Sequence, residues 1–217
     1  MSAKQHRIEA STQEKPSTRE RLVDAARELF LVKGYEATGV SEILKAAGVN
    51  SGSLYYFFKT KEELLLAVLE WYTANLYPEV IDPVTSRTAD PIERVFGVLD
   101  GYRHLLTLTG CKIGCPIGNL ALEMSEKSEA AREKIALNFE NWRKAIRAFL
   151  IDAGDRLPVE IDRDKLATFI LTVMEGGMMQ ARAHRSLEPF EASVAMLREY
   201  VDRLLRAGRS SEESPGR

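Results

Sequence analysis

The feature that most constrains this chain is a helical apolar rhythm that never gives way to strand-like alternation. Leu22, Ala25, Ala26, Leu29 and Phe30 recur at i, i+3, i+4, i+7 and i+8, one stripe on one helix. Ser17 and Glu20 form a capping-box pattern ahead of it, and Gly34 suits the left-handed position past its end. A second helix is expected from Thr38, with Ile43, Leu44 and Ala47 buried and Gly48 as its stop. A short third helix runs from Ser51 to Phe58. Thr60 and Glu63 then open a long helix through Leu64, Leu65, Val68, Leu69 and Tyr72. Asp82-Pro83 and Asp90-Pro91 mark a loop. Asp90 and Glu93 start a helix holding Val95, Phe96, Leu99, Tyr102, Leu105 and Leu106. The segment from Gly110 to Pro116 breaks the pattern. Ser128 to about Ala153 is one long helix, and residues 162–185 and 189–207 form a final pair. The expectation is an all-α fold of about nine helices. Residues 1–16 read as a flexible arm, 17–62 and 63–207 as two folded parts, and 208–217 as a disordered tail.

Composition narrows the function classes. With 217 residues, 45% of them apolar, the chain is long enough to bury a substantial core. No apolar run approaches the ~18 residues that would span a bilayer, and the first residues lack a signal-peptide core. Two cysteines are too few for a disulfide scaffold, which fits a reducing compartment. A cytoplasmic protein without membrane contact is therefore expected. Net charge is −2, distributed as +2 over residues 1–62 and −4 over the remainder, which permits a DNA-facing N-terminal part without requiring one.

The stretch GVNSGSLYYFFKTKEEL, Gly48 to Leu64, is the least ordinary part of the sequence. Two helices joined by a short glycine turn, here Ala47-Gly48-Val49, make a helix-turn-helix, whose second helix enters the major groove N-terminus first. Asn50, Ser51 and Ser53 then supply short hydrogen-bonding groups at the leading edge. Leu54 and Phe58 face inward, and Tyr55 and Tyr56 can reach phosphate or a base edge. Lys59 and Lys61, beside free backbone N–H groups at the next helix start, make a phosphate site, and Thr38 and Ser41 do the same at the second helix. The competing reading is a small helical bundle with aromatic packing and solvated lysines.

Residues 18–66 closely resemble the DNA-binding domain of the TetR family of bacterial repressors. The resemblance rests on the ordered set Ala26, Phe30, Gly34, Tyr35, Thr38, Ile43, Ala47, Gly48, Val49, Leu54, Tyr55, Phe58, Lys61, Glu62 and Leu64. It implies contacts to double-stranded DNA, a palindromic operator, at Thr38, Ser51, Ser53, Tyr55, Tyr56 and Lys61. Phe57 stands where the family often has a His or Tyr on phosphate, and it cannot donate a hydrogen bond. The resemblance also implies that residues 63–207 bind a small-molecule effector and form a homodimer, the last two helices making a four-helix bundle with their mates. Val173, Gly177, Val194, Leu197, Val201 and Leu204 are the expected dimer residues, and Gly176-Gly177 mid-helix would be explained by a close helix or ligand approach.

The sensing residues are less defined. Cys115, flanked by glycine and followed by Pro116, is expected in a turn where a thiol can be exposed beside helix-start N–H groups that lower its pKa. The segment GCPIGNLALE resembles regulators in which a cysteine senses electrophiles or oxidants, and it also occurs in members with other ligands, where the thiol simply packs. For a reversible pocket the candidates are Phe96, Phe139, Trp142 and Met174, each equally readable as plain core. A metal-responsive reading rests on His104, Cys111 and Cys115, whose spacing is interrupted by Gly110, Gly114 and Pro116, so no metal and no cofactor is expected. A cysteine-dependent enzyme is the rival class, but no base is placed near Cys115 by the sequence. The expectation is a homodimeric repressor, not an enzyme, released from its operator by a small molecule or an electrophile.

Overall fold

The computed structural model describes residues 16–212, and among them every regular element is helical. Ten α-helices follow in order: α1 (Thr18–Lys33), α2 (Val40–Ala47), α3 (Ser51–Phe57), α4 (Lys61–Leu76), α5 (Asp82–Arg87), α6 (Pro91–Leu108), α7 (Pro116–Met124), α8 (Glu129–Asp152), α9 (Arg163–His184) and α10 (Glu188–Glu212). A π-helical turn, Tyr77–Ile81, carries α4 into α5, so counting that bent rod once gives nine.

The caps are where the sequence placed them. Ser17 and Glu20 close a reciprocal box at α1. Thr60 Oγ1 accepts from the Glu63 amide, and Asp90 accepts from Ile92 and Glu93. Gly48 ends α2 in the left-handed conformation, φ 63°. Arg21 of α1 donates to the Ala47 and Gly48 carbonyls, so α1 itself satisfies the end of α2 and fixes the turn into α3. Leu54 and Phe58 are buried against this frame.

Beyond the first three helices, α8 is the central rod, packed on α4, α6, α7 and α9. Its Trp142, Ala145, Ile146 and Phe149 are buried. Asn138, a buried amide on the same helix, donates to the Leu69 and Lys134 carbonyls and so bolts α4 to α8 without an unpaired group.

Three boundaries differ from expectation. The Asp82-Pro83 segment is helical rather than loop, because a proline in the first turn costs no intrahelical bond. The same reasoning applies at Pro116, which begins α7 inside a region that reads as broken. The expected disordered tail is helical through Glu212. Gly208 runs so close to the Arg156 carbonyl that a Cβ there would sit 2.5 Å from its oxygen. The rest of that tail, and the expected arm up to residue 15, lie outside the described residues.

Candidate DNA interface and effector cavity

The leading edge of α3 is built as a short, rigid presenter. Asn50 Oδ1 accepts from the Ser53 amide and hydroxyl, at 2.9 and 3.1 Å, which caps the helix and uses one of the polar groups expected to read DNA. Leu54 anchors the inner face. Ser51, Tyr55 and Tyr56 stand outward, Tyr56 at 77% exposure with its ring edge-on to Phe57 at 4.8 Å. Large aromatic groups this exposed on a seven-residue helix form a surface patch of the kind that marks interaction sites. Ser41 and Lys59 are also exposed.

Two expected contacts are corrected. Thr38 is 1% exposed and its hydroxyl donates to the Gly34 carbonyl at 2.7 Å, so it braces the α1–α2 linker instead of facing phosphate. α2 accordingly starts at Val40, with Gly39 as its N-cap. The Lys61 ammonium donates to the Tyr35 carbonyl at 2.5 Å and lies 4.1 Å from the Tyr35 ring centroid, and desolvation holds its pKa down. Its charge ties α4 to the α1–α2 linker. Nor are the helix-start amides all open: Glu42 accepts from Gly39 and Glu63 from Lys59.

A cavity of about 410 Å³ opens between α4, α5, α6, α7 and α8, in the range of small-molecule sites. Trp71, Tyr72, Tyr102 and Trp142 wall it. Cys115 lines it, and so does Arg27, which projects from α1 of the DNA-binding helices. The π turn contributes Glu79 and Val80, consistent with the frequent use of such turns at sites. Trp142 and Cys115, candidates of two different sensing readings, thus line one cavity. Phe139 and Met174 are not among the lining residues, and Phe96 belongs to a separate groove where Arg198 stacks on its ring at 3.4 Å. At helical spacing their side chains satisfied the apolar pattern equally well as core.

The expected exposed, acidified thiol is also corrected. Cys115 does cap a helix start, its sulfur accepting from the Gly118 amide at 3.4 Å. Yet it is buried, and burial first, then the neighbouring Glu175 carboxyl, pushes its pKa well up. A thiol so held is a poor nucleophile. Among the described residues, no group of three or more His, Cys, Asp or Glu side chains is placed to hold a metal, and Cys111 is buried separately.

Glu175 is the residue the sequence did not single out. Its Oε1 is buried without a partner, and desolvation raises its pKa. A carboxyl whose folded pKa lies above its unfolded value favours folding at low pH, and that contribution is lost as pH rises through the raised value. Glu175→Gln is therefore expected to unfold at a higher temperature than the native chain at pH 8 and to match it near pH 4. Parallel melts at the two pH values check this, and an equal offset at both would contradict it.

α7 joins the two regions. Cys115 caps its cavity end. Glu123, near its other end, accepts from the Glu36 amide at 2.9 Å, while Lys127 just beyond pairs with the Glu36 carboxylate at 2.7 Å. Gly34, at φ 88°, lies under the Glu123 carboxylate, which would have to shift to admit a Cβ there. The helix thus runs from the cavity to the linker that sets α2.

Comparison with known proteins agrees. The family model for bacterial regulatory proteins of the tetR family matches residues 22–68, and one for the C-terminal domain of LmrA/YxaF-like transcriptional regulators matches 91–196. A solved TetR transcriptional regulator from Chloroflexus aurantiacus superposes with a TM-score of 0.73 at 30% identity, over 85% of this chain and 94% of that one. The chain belongs to the TetR family of transcriptional regulators. Among curated TetR-family relatives, the uncharacterized HTH-type transcriptional regulator YxaF of Bacillus subtilis is 29% identical over 79% of this chain and 88% of its own length. The HTH-type transcriptional repressor NemR of Escherichia coli is 28% identical over 85% and 94%. Among the described residues no helix is long and apolar enough to cross a membrane.

The residues expected at a dimer surface on α9 and α10 divide. Leu197 and Val201 are buried within the protomer, and Gly177 packs on Phe190 of α10, so these three are corrected from dimer surface to core. Val173 and Leu204 are half-buried, and Val194 lines the groove beside Phe96. The outward face is carried instead by Phe169, Met179, Met196 and Tyr200, all substantially exposed, with Phe169 edge-on to Tyr200 at 5.9 Å. Gly176 opens onto it with nothing within reach of a Cβ.

Proposed function

We propose that this chain is a homodimeric repressor that grips a palindromic operator with α3 of each protomer and is released by a small molecule in the α4–α8 cavity. The observation that carries the reading is α7, which caps one end on the cavity and latches the other to the α1–α2 linker. An occupant that shifts α7 or the Trp71-bearing α4 re-aims α3, and it does so only by the difference of its affinity for the two arrangements. The action is equilibrium binding in the cytoplasm, with no bond made or broken. Ser41, Ser51, Tyr55, Tyr56 and Lys59 are the contact residues of this reading, and Ser53 sets the start of α3.

A covalent version has Cys115 as the sensing thiol of an electrophile or oxidant. It lines the cavity, but burial and Glu175 hold it protonated, so a reversible occupant is the reading the geometry favours.

The test is titration of the DNA upstream of the chain's own gene with the native protein and with a Tyr55→Ala, Tyr56→Ala double variant. The native protein is expected to bind with steep salt dependence, each phosphate contact adding ~0.9 to the slope. The variant should lose affinity by about 10- to 100-fold, corresponding to ~1–3 kcal/mol, with its helix content unchanged. Equal binding by both would overturn the contact map.

A further inference from the structure

Arg27 lines the cavity, yet it belongs to α1 of the DNA-binding helices, and its hydrogen-bonding capacity is not filled. Its guanidinium stacks over Trp71, 4.2 Å from the ring centroid, which fixes the plane of the fork. The Asp24 carboxylate is 3.8 Å from a terminal nitrogen, too far for a good hydrogen bond, and is half exposed to solvent. Arg27 Nε is buried and has no acceptor. A charged donor left without an acceptor in a buried position is costly, so such groups are normally met by a ligand or another polar partner.

The rest of the cavity indicates what that ligand carries. Beyond Arg27 the walls are Trp71, Tyr72, Tyr102 and Trp142, an apolar and aromatic enclosure. Burial pushes the Tyr72 and Tyr102 phenols upward, so both stay neutral, and the Cys115 thiol that also lines the cavity is held protonated. At the rim Arg87 and Glu79 oppose each other in charge. A partly buried cation with an unpartnered Nε on the α1 side and an aromatic enclosure beyond it match a molecule with a single anionic head and an apolar body.

We propose that the effector is an apolar or aromatic carboxylic acid, bound as its anion, with the carboxylate on the Arg27 fork and the body against Tyr102 and Trp142. This rests on the reading of the cavity as the effector site. The planar carboxylate suits two parallel donors of one guanidinium. Since Arg27 is part of α1, and α1 carries the Arg21 cap that fixes the α2–α3 turn, the anion pulls directly on the DNA-binding helices.

Matched pairs of phenylalkanoates and their amides, from phenylacetate to the longer homologues, separate charge from shape. Calorimetric titration into the full-length native protein should show the acid of the best-fitting pair binding about 10- to 100-fold more tightly than its amide, the worth of a charge-assisted hydrogen bond. Arg27→Gln should abolish that preference by weakening the acid alone. Arg27→Lys, which keeps the charge but lacks the Nε donor and the fork, should retain only part of it. Acid and amide binding alike to the native protein, or a preference that survives in Arg27→Gln, would overturn the proposal. Binding of no member of either series, with operator binding intact, would overturn the proposal while leaving the cavity open to an effector of other chemistry.

Discussion

Gly176→Glu combined with Met196→Glu is expected to leave a folded monomer that no longer holds a two-half-site operator. Gly176 lies mid-helix in α9, where glycine costs about 1 kcal/mol against alanine. Inside the protomer nothing explains that cost, because a Cβ at this position meets nothing within 4 Å. In the proposed dimer a partner helix passing close outside would explain it. Met196 is 64% exposed and stands on the same outward face as Phe169, Met179 and Tyr200. Two carboxylates from each protomer would place four like charges in a closed apolar seam, where burying them unpaired is prohibitive. Neither substitution removes an internal contact, so the protomer's own melting should be little changed, and Gly176→Glu adds helix propensity. Sedimentation should report half the native mass. Operator affinity should fall by at least about 100-fold, toward the non-specific level of a single half-site. A variant that sediments as a dimer would exclude this face.

The contrast with Gly177 shows what was legible in the sequence. The DNA-binding helices could be read almost residue by residue, because caps, glycine stops and i, i+3, i+4 stripes are local signals. The Gly176-Gly177 pair was also visible as an anomaly, but not which glycine faces which way. The apolar stripe of α10 was visible too, yet Leu197 and Val201 serve the core while Met196 and Tyr200 face out. A stripe does not say whether its partner is in the same chain. Thr38 and Lys61 are turned to intramolecular partners for a related reason: those partners, Gly34 and Tyr35, lie in a linker whose path no periodicity encodes. Cys115 was located correctly at a helix start. Its raised pKa owes part to Glu175, which α9 delivers from sixty residues away in sequence. Pro116 hid α7, although a proline can begin a helix as readily as it ends one.

Gly177 carries the largest expected effect on stability. Its ideal Cβ would lie 3.0 Å from Phe190 Cδ2 and 3.4 Å from Phe190 Cα, so α9 and α10 touch here with backbone against ring. Phe190 is fully buried and near the start of α10, and cannot swing away without uncovering the core. In Gly177→Ala two effects oppose each other: about 1 kcal/mol of helix propensity is gained, and a contact a few tenths of an ångström too tight is created. The net change should be near zero. In Gly177→Leu the added branches have no space, and the only relief is to part the two helices. Overpacking of that kind costs ~1–3 kcal/mol, and separation of α9 from α10 adds the loss of buried apolar contact around Phe190 and Leu197. The Leu variant should therefore melt several degrees or more below the native chain, and lose its dimer as well, since both helices build that face. The graded series tests the packing against the alternative that glycine is present for flexibility: loss of flexibility would penalise Ala nearly as much as Leu, whereas steric contact spares Ala. Gly176→Ala provides the control. It adds the same propensity with no internal clash, so at protein concentrations low enough to keep the chain monomeric it should raise the melting temperature.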